Sequence, residues 1–189
     1  MLKPTLPKLL KIPRQHRVRR VKGSPSFRQA SKTVLEIHQR GIPKTIFVNI
    51  YDYKKDGFDL DANLDNGKRI GGLAIENLGA NNWNIFDRYI KEDYRGYYLG
   101  RTLFRFVEME IKKRGGKHIS MITNQPDVIR TSLKLGYKLT PHGEAILKRA
   151  LNLPSQAPLP QTPKLINLLD QQKGKIEPAS SPTIYKELI

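Results

Sequence analysis

The feature that most constrains the fold is a change of hydrophobic period between residues 83 and 111. Trp83-Asn84-Ile85-Phe86-Asp87-Arg88-Tyr89-Ile90 is apolar and aromatic in the manner of a strand. From residue 99 the period becomes helical, with Leu99, Leu103, Val107 and Ile111 on one face of a helix over 99–114. Gly115-Gly116 stops it, and Lys117 to Thr123 is strand-like again. Two strands joined by a helical crossover are expected to run parallel. Between the first strand and the helix lies Tyr94-Arg95-Gly96-Tyr97-Tyr98-Leu99-Gly100-Arg101, a basic, glycine-containing turn. Backbone N–H groups at a helix start are unpaired and sit at the positive end of the helix dipole. A strand, such a turn and a helix start together predict a site for a phosphorylated ligand.

Upstream, short turns separate strand-like runs. Lys44 to Tyr51 is rich in β-branched and aromatic residues, and Phe58 to Leu64 alternates apolar with polar side chains. Asp65-Asn66-Gly67 predicts a hairpin, with Asn-Gly supplying positive φ angles, and Lys68 to Glu76 returns. Gly71-Gly72 within that strand marks a bulge or a close backbone approach. Turns this short demand an antiparallel meander. Residues 27–40, capped by Ser26 and ended by Gly41 and Pro43, have a rough helical spacing and read as a helix. Glu108 and Lys112 stand at helical i,i+4 spacing and are expected to pair. Downstream, Pro126 to Leu135 reads as a helix with Gly136 as its stop. Tyr137–Thr140 and Ala145–Leu151 read as a closing strand pair, with a helix as the alternative for 144–151.

Composition sets further bounds. The 189-residue chain has 34 Lys and Arg against 17 Asp and Glu, a net charge of +17. Such a balance points to an anionic partner, nucleic acid or an anionic membrane surface, since a polyphosphate cofactor accounts for few of the charges. Residues 1–35 carry ten Lys or Arg and no acid. They read as a solvated tail or an arm for phosphate backbones, with a transit peptide as the third reading, interrupted by Pro4, Pro7, Pro13 and Pro25. Cysteine is absent, which excludes disulfides, thiolate metal sites and cysteine nucleophiles. The four histidines, at 16, 38, 118 and 142, have no metal-ligand spacing, and no metal is expected. No apolar run reaches the length of about 20 residues that a spanning helix needs, so the reading is a soluble, cytoplasmic protein. Past Asn152, Pro154, Pro158, Pro160 and Pro163 crowd together and Pro178 and Pro182 follow, so 152–189 reads as a disordered Pro-rich tail. Leu165-Ile166-Asn167-Leu168-Leu169 within it is apolar enough to dock on a partner or on the domain's own surface. The expected domains are a basic arm at 1–25, a globular domain at 26–151 and the tail.

The order of elements over roughly residues 44–151 resembles the GNAT superfamily of acyl-CoA-dependent N-acyltransferases. Ile90-Lys91-Glu92-Asp93-Tyr94-Arg95-Gly96-Tyr97-Tyr98-Leu99-Gly100-Arg101 is similar to the family's strand end and Arg/Gln-x-x-Gly-x-Gly/Ala turn. Asn124, with Leu135-Gly136-Tyr137 after the next helix, is the second piece. The resemblance implies an α+β fold whose mixed, mostly antiparallel central sheet is flanked by helices. It also implies transfer of an acetyl group from acetyl-CoA to a primary amine by direct attack.

By that resemblance the backbone of Gly96, Tyr97, Tyr98, Leu99, Gly100 and Arg101 binds the pyrophosphate. Gly96 allows close approach, Gly100 packs the helix start against the sheet, and Arg95 and Arg101 add charge. Arg88, Tyr89 and Ile90 pair with the pantetheine arm, and the Ile90 N–H donates to the forming oxyanion. Asn124 caps the later helix and reaches the cofactor. Glu76, Asp87 and Glu92 are candidates to deprotonate the amine. Two departures stand out. Tyr98 replaces the signature's central glycine, and no tyrosine precedes Leu-Gly-Tyr to protonate the leaving thiolate. Ser132 or Thr131 stands there instead; a water, Tyr98 or Tyr137 are the alternatives, as is a site that binds CoA without turnover. The other reading of function is a nucleic-acid-associated protein on this fold, acting on an RNA-linked or base amine or binding with a silent site.

Overall fold

The computed structural model describes residues 9–10, 28–36, 45–53, 57–95, 99–171 and 181–188, with side chains from residue 45 onward. Most of the basic arm, the 37–44 connection, Lys55-Asp56 and Gly96-Tyr97-Tyr98 therefore lie outside the described residues. The chain divides into two compact units, residues 1–77 with 86–103, and residues 78–85 with 104–189.

The first unit is an antiparallel ladder. Strands β1 (Leu9–Leu10), β2 (Arg28–Glu36), β3 (Thr45–Asp52), β4 (Gly57–Asn63) and β5 (Arg69–Gly79) pair in sequence order. The end of β6 (Asn82–Ile90) belongs to this unit too. The register explains its two faces. Ile50, Leu60 and Leu73 stand opposite one another and are buried, as are Val48 and Ala62 beside Gly71. The alternate positions, Tyr51, Asp59 and Ala74, form a half-buried second face. Fully burying one such aliphatic side chain stabilises by about 1.5–3 kcal/mol.

Residues 28–36 are strand β2, not the expected helix. Ala30, Val34 and Leu35 fit a helical spacing, but propensity is a weak prior, and here the edge of β3 takes the backbone into a ladder with a bulge between Gln29 and Ser31. At the hairpin, Gly67 alone takes positive φ, at 78°, and Asn66 does not. The Leu64 and Gly67 N–H groups donate to Lys68 O and Leu64 O, so this is a longer turn ending in one glycine. The two-residue positive-φ turn lies instead at Ala80 (47°) and Asn81 (63°), between β5 and β6.

The second unit holds the helices. α1 (Leu99–Lys113) enters it after its first turn, and β7 (His118–Ile122) runs parallel to the start of β6, with Ile85 opposite Met121. Leu99, Leu103, Val107 and Ile111 are all buried, as their spacing requires. α2 (Pro126–Lys134) ends on Gly136 at φ 85°, where Gly136 and Tyr137 N–H groups donate back to Leu133 O and Ser132 O. β8 is short (Lys138–Leu139). The pairings from β1 to β5 and those of β9 with β7 and β8 are antiparallel and that of β6 with β7 is parallel, so the mixed, mostly antiparallel sheet is as expected.

Two expectations fail here. Residues 141–150 are helix α3 rather than a strand. Thr140 caps it, accepting the Gly143 N–H at 3.0 Å, and Pro141 sits where a helix needs no N–H. Nor is 152–189 a disordered tail throughout. Residues Thr162–Gln171 form α4, whose Leu165 and Leu169 are buried and which packs on α2, with Asp170 paired to Arg130. Strand β9 (Thr183–Glu187) lies between β7 and β8 and pairs with both. Prolines forbid helix and ladder only at and just before themselves, and the runs between them keep their own apolar spacing. Residues 172–180, with Pro178, lie outside the described residues.

Candidate functional site

In the first unit the end of β6 leads into α1. The Lys91 N–H donates to Ile70 O at 2.9 Å, holding the strand end on β5. A single 3-10 turn, Glu92–Tyr94, follows, with the Arg95 N–H on Glu92 O at 3.0 Å. Arg95 is exposed, and its Nε donates to Ile90 O at 3.2 Å, so its guanidinium folds back onto the strand end. Glu92 is exposed on the 3-10 turn.

Gly71 decides how closely these parts approach. A Cβ there would lie 2.8 Å from Ile90 Cδ1 and 3.0 Å from Tyr89 O, with Leu103 Cδ1 at 3.6 Å. The close approach expected of the Gly71-Gly72 pair is therefore present: any larger residue at 71 pushes on the backbone of 89–90. Gly72 serves a different purpose. A Cβ there would meet Arg69 Nη2 at 2.5 Å and Asp61 Oδ1 at 3.0 Å, so the missing side chain gives the Arg69–Asp61 ion pair (2.7 Å) its place.

Gly100 does not pack the helix start against the sheet, contrary to expectation. Among the described residues, a Cβ at 100 would find nothing within 4 Å. The first turn of α1 also lacks any acidic residue and carries Arg101. That is the unfavourable sign for the helix's own dipole, worth about 0.3–1 kcal/mol, and the favourable sign for an anion at the helix start. Open space at Gly100 among the described residues and a carboxylate-free first turn leave room there for an anionic group.

The second face of the ladder carries an open cleft of about 450 Å³, lined by Tyr53, Asp59, Ala74, Ile75, Glu76, Phe86 and Asp87. The structure thus brings Glu76 and Asp87 into one cleft. It adds Tyr53, Asp59 and Phe86, which reading the sequence missed, although the alternation of β4 already placed Asp59 opposite the core face. Tyr53 Oη donates to Asp59 Oδ2. Burial, then that bond, pushes the Tyr53 phenol well above its ordinary range, so it stays protonated and remains a donor. Asp87 Oδ1 accepts the Arg88 N–H at 2.7 Å. Burial lowers the Arg88 guanidinium, and Asp87 partly offsets that. Phe86 is 59% exposed, and Tyr89, 43% exposed, has the Arg69 guanidinium 6.0 Å from its ring. On the same face of β4 as Asp59, burial raises Asp61 above the usual carboxylate range against the pull of Arg69.

The remaining residues belong to the second unit. Asn124 is half-buried and does not cap α2. Gln125 holds the cap position without a side-chain bond, while Thr123 Oγ1 accepts the Gln125 N–H at 3.1 Å. Ser132 is fully buried. Its Oγ donates to Val128 O at 2.8 Å and lies 3.6 Å from Met121 Sδ, the setting of a structural hydroxyl rather than of an acid facing a thiolate. Tyr137 is buried edge-on to Phe104. Its hydroxyl faces Glu108 without making a well-formed hydrogen bond, and burial, reinforced by that carboxylate, raises the phenol. Glu108 pairs with Lys186 Nζ at 2.8 Å. Lys186 also donates to Leu135 O at 2.8 Å, which ties β9 to α1 and to the end of α2.

Among solved structures, the chain is similar to GNAT-family acetyltransferases. One is a GNAT-family acetyltransferase from Staphylococcus aureus, with 16% identity, a TM-score of 0.48, and 71% of this chain and 70% of that one covered. Another is an IAA acetyltransferase from Bacillus cereus, with 14% identity, a TM-score of 0.48 and coverage of 70% and 79%. A third is the PaiA N-acetyltransferase from Thermoplasma acidophilum in complex with coenzyme A, with 16% identity, a TM-score of 0.43 and coverage of 70% and 61%. No protein-family model and no curated protein matches the sequence.

Proposed function

We propose that the protein is an acyl-CoA N-acyltransferase that moves an acetyl group from acetyl-CoA to a primary amine by direct attack. The observation that carries this reading is the junction of β6 with α1. A strand end held on β5 through Gly71 runs by one 3-10 turn into a helix start that is free of carboxylates, bears Arg101 and is open at Gly100. The backbone of Gly96 to Arg101 binds the pyrophosphate, and Arg88 to Ile90 receive the pantetheine arm in extended form. The Ile90 N–H stabilises the negative charge that develops on the thioester oxygen as the amine adds to the carbonyl carbon. Collapse of that adduct breaks the C–S bond, releasing the amide and CoA. The amine must shed a proton to attack, and Glu76 or Asp87, which line one cleft, takes it. Asn124 contributes as a polar group toward the cofactor. With Ser132 committed to Val128 O, the thiolate leaves with a proton from water or from one of the tyrosines.

The decisive experiment is calorimetric titration with acetyl-CoA, followed by release of CoA thiol with a mixture of amines. Absence of binding refutes the reading, and binding without thiol release reduces it to a silent site. The net charge of +17 favours a second reading, a nucleic-acid-associated enzyme or module of this fold in which the basic arm holds phosphates. It predicts tRNA or DNA binding that weakens steeply with salt, and no binding at low salt removes it.

A further inference from the structure

We propose that Arg95 is a positioning residue for the acyl transfer: its side chain holds the peptide that follows Ile90 and so keeps the Ile90 N–H aimed at the thioester oxygen. The holding contact is the bond from Arg95 Nε to Ile90 O, at 3.2 Å. The other polar group of the same peptide, the Lys91 N–H, donates to Ile70 O at 2.9 Å. One peptide plane is thus held from both sides, by β5 and by a side chain. In an extended strand a residue's N–H and C=O point to the same edge, so the Ile90 N–H faces the edge where Arg95 sits rather than β5. The preceding peptide, which carries that N–H, lies against Gly71, where a Cβ would come within 3.0 Å of Tyr89 O. With both peptides held, Ile90 has little freedom to turn its donor away.

The 3-10 turn is what brings Arg95 there. The Tyr94 N–H donates to Lys91 O at 2.9 Å and the Arg95 N–H to Glu92 O at 3.0 Å, which folds the chain back beside the strand end. Glu92 and Asp93 stand in the same turn, yet among the described residues Arg95 pairs with neither carboxylate and goes to the neutral carbonyl. The donor is Nε, the inner nitrogen of the guanidinium, so the side chain has to lie back along the strand for the bond to form. Lysine has no nitrogen at that place, only a flexible ammonium at the end of its stem. A carbonyl oxygen has two lone pairs, so the bond to Arg95 leaves one for the pantetheine arm. That the held residue is the oxyanion donor rests on the acyltransferase reading, whereas the hold itself does not.

The test compares the full chain with Arg95→Ala and Arg95→Lys by native-state hydrogen exchange, thermal unfolding, calorimetric titration with acetyl-CoA, and release of CoA thiol with a mixture of amines. Arg95 is exposed, so neither variant removes core packing, and the thermal midpoint is expected to stay in place. In Arg95→Ala the Lys91 amide is expected to exchange about tenfold faster, since its peptide is then held from one side only. The same variant should lower kcat about tenfold or more while the Kd for acetyl-CoA stays within about twofold. Arg95→Lys should behave like Arg95→Ala, and added methylguanidinium should restore part of the lost kcat. A weakened Kd with unchanged kcat makes Arg95 a phosphate ligand and overturns the inference, as does full kcat in Arg95→Lys, where charge alone suffices. Unchanged Lys91 exchange beside intact acetyl-CoA turnover defeats this inference alone. Faster Lys91 exchange in a chain that does not bind acetyl-CoA defeats the acyltransferase reading and leaves the hold.

Discussion

Replacing Gly100 with glutamate separates folding from ligand binding at the start of α1. Among the described residues the position has open space around a Cβ, and Gly100 is not among the glycines with positive φ, so the side chain enters without strain. For folding the change is favourable on two counts. Glycine in a helix costs roughly 0.5–1 kcal/mol relative to a better helix former. A carboxylate in the first turn gains about 0.3–1 kcal/mol from the dipole, where the turn now has no acid. Gly100→Glu should therefore be more stable by about 1–2 kcal/mol, at roughly 2–4 °C of Tm per kcal/mol for a chain of this size. For the pyrophosphate the same carboxylate is repulsive. Two like unit charges on the order of 6 Å apart repel by about 3 kcal/mol at an effective dielectric constant of ~20. That is about a hundredfold in Kd. Calorimetric titration with acetyl-CoA and thermal unfolding of the same preparations read the two effects. A variant that stays folded and binds acetyl-CoA within about threefold of wild type refutes the placement of the pyrophosphate at this turn.

Gly71→Val forces the Tyr89–Ile90 backbone from β5 and should cost about 1–3 kcal/mol of stability together with a raised KM for acetyl-CoA, seen in denaturant melts and steady-state kinetics. Ser132→Ala should lower stability by about 1 kcal/mol, since its lost bond is a structural one; a large fall in kcat with unchanged stability would restore it as an acid. Ile184→Ala in β9 should cost about 2–5 kcal/mol by chemical denaturation, because the side chain is fully buried between two ladders. The raised Tyr137 phenol adds an alkaline dependence. The unfolded chain loses that proton first, so the contribution is intact below about pH 10 and is lost as pH climbs toward the higher folded value. In Tyr137→Phe the alkaline fall of Tm should be shallower than in wild type, and an unchanged slope would assign the fall to other groups.

The parts of this fold that were legible in the sequence are those where the apolar period stays unbroken. Val48, Leu60, Leu103 and Ile111 declared their faces because each side chain meets a core at the period of its own element. Residues 28–36 did not, because their backbone follows the edge of β3, a partner that no local spacing reveals. The same holds for Thr183–Glu187, a five-residue strand fixed by two neighbours distant in sequence. α3 was legible in retrospect, since Thr140-Pro141 with Glu144 is a helix start, yet Ala145-Ile146-Leu147 fits a strand equally well. At the candidate site, Glu76 and Asp87 could be named as carboxylates near the central strands. Asp59 and Tyr53 could not, because their meeting depends on register across β3 and β4. Gly100 was misread for a related reason: what surrounds a glycine is a tertiary fact, and a motif position does not supply it.

The insertion of β9 between β7 and β8 also bears on how the protein is made. In the first unit, β2 to β5 each pair with the next strand in sequence, so that ladder can form as the chain emerges from the ribosome. The second unit has no such order. Lys138 must wait for Tyr185 before β8 has any neighbour, and β7 keeps an open edge until the same segment arrives. During synthesis the earlier half can settle while the later half presents an unpaired strand, a period in which chaperone capture or edge-to-edge aggregation competes with closure.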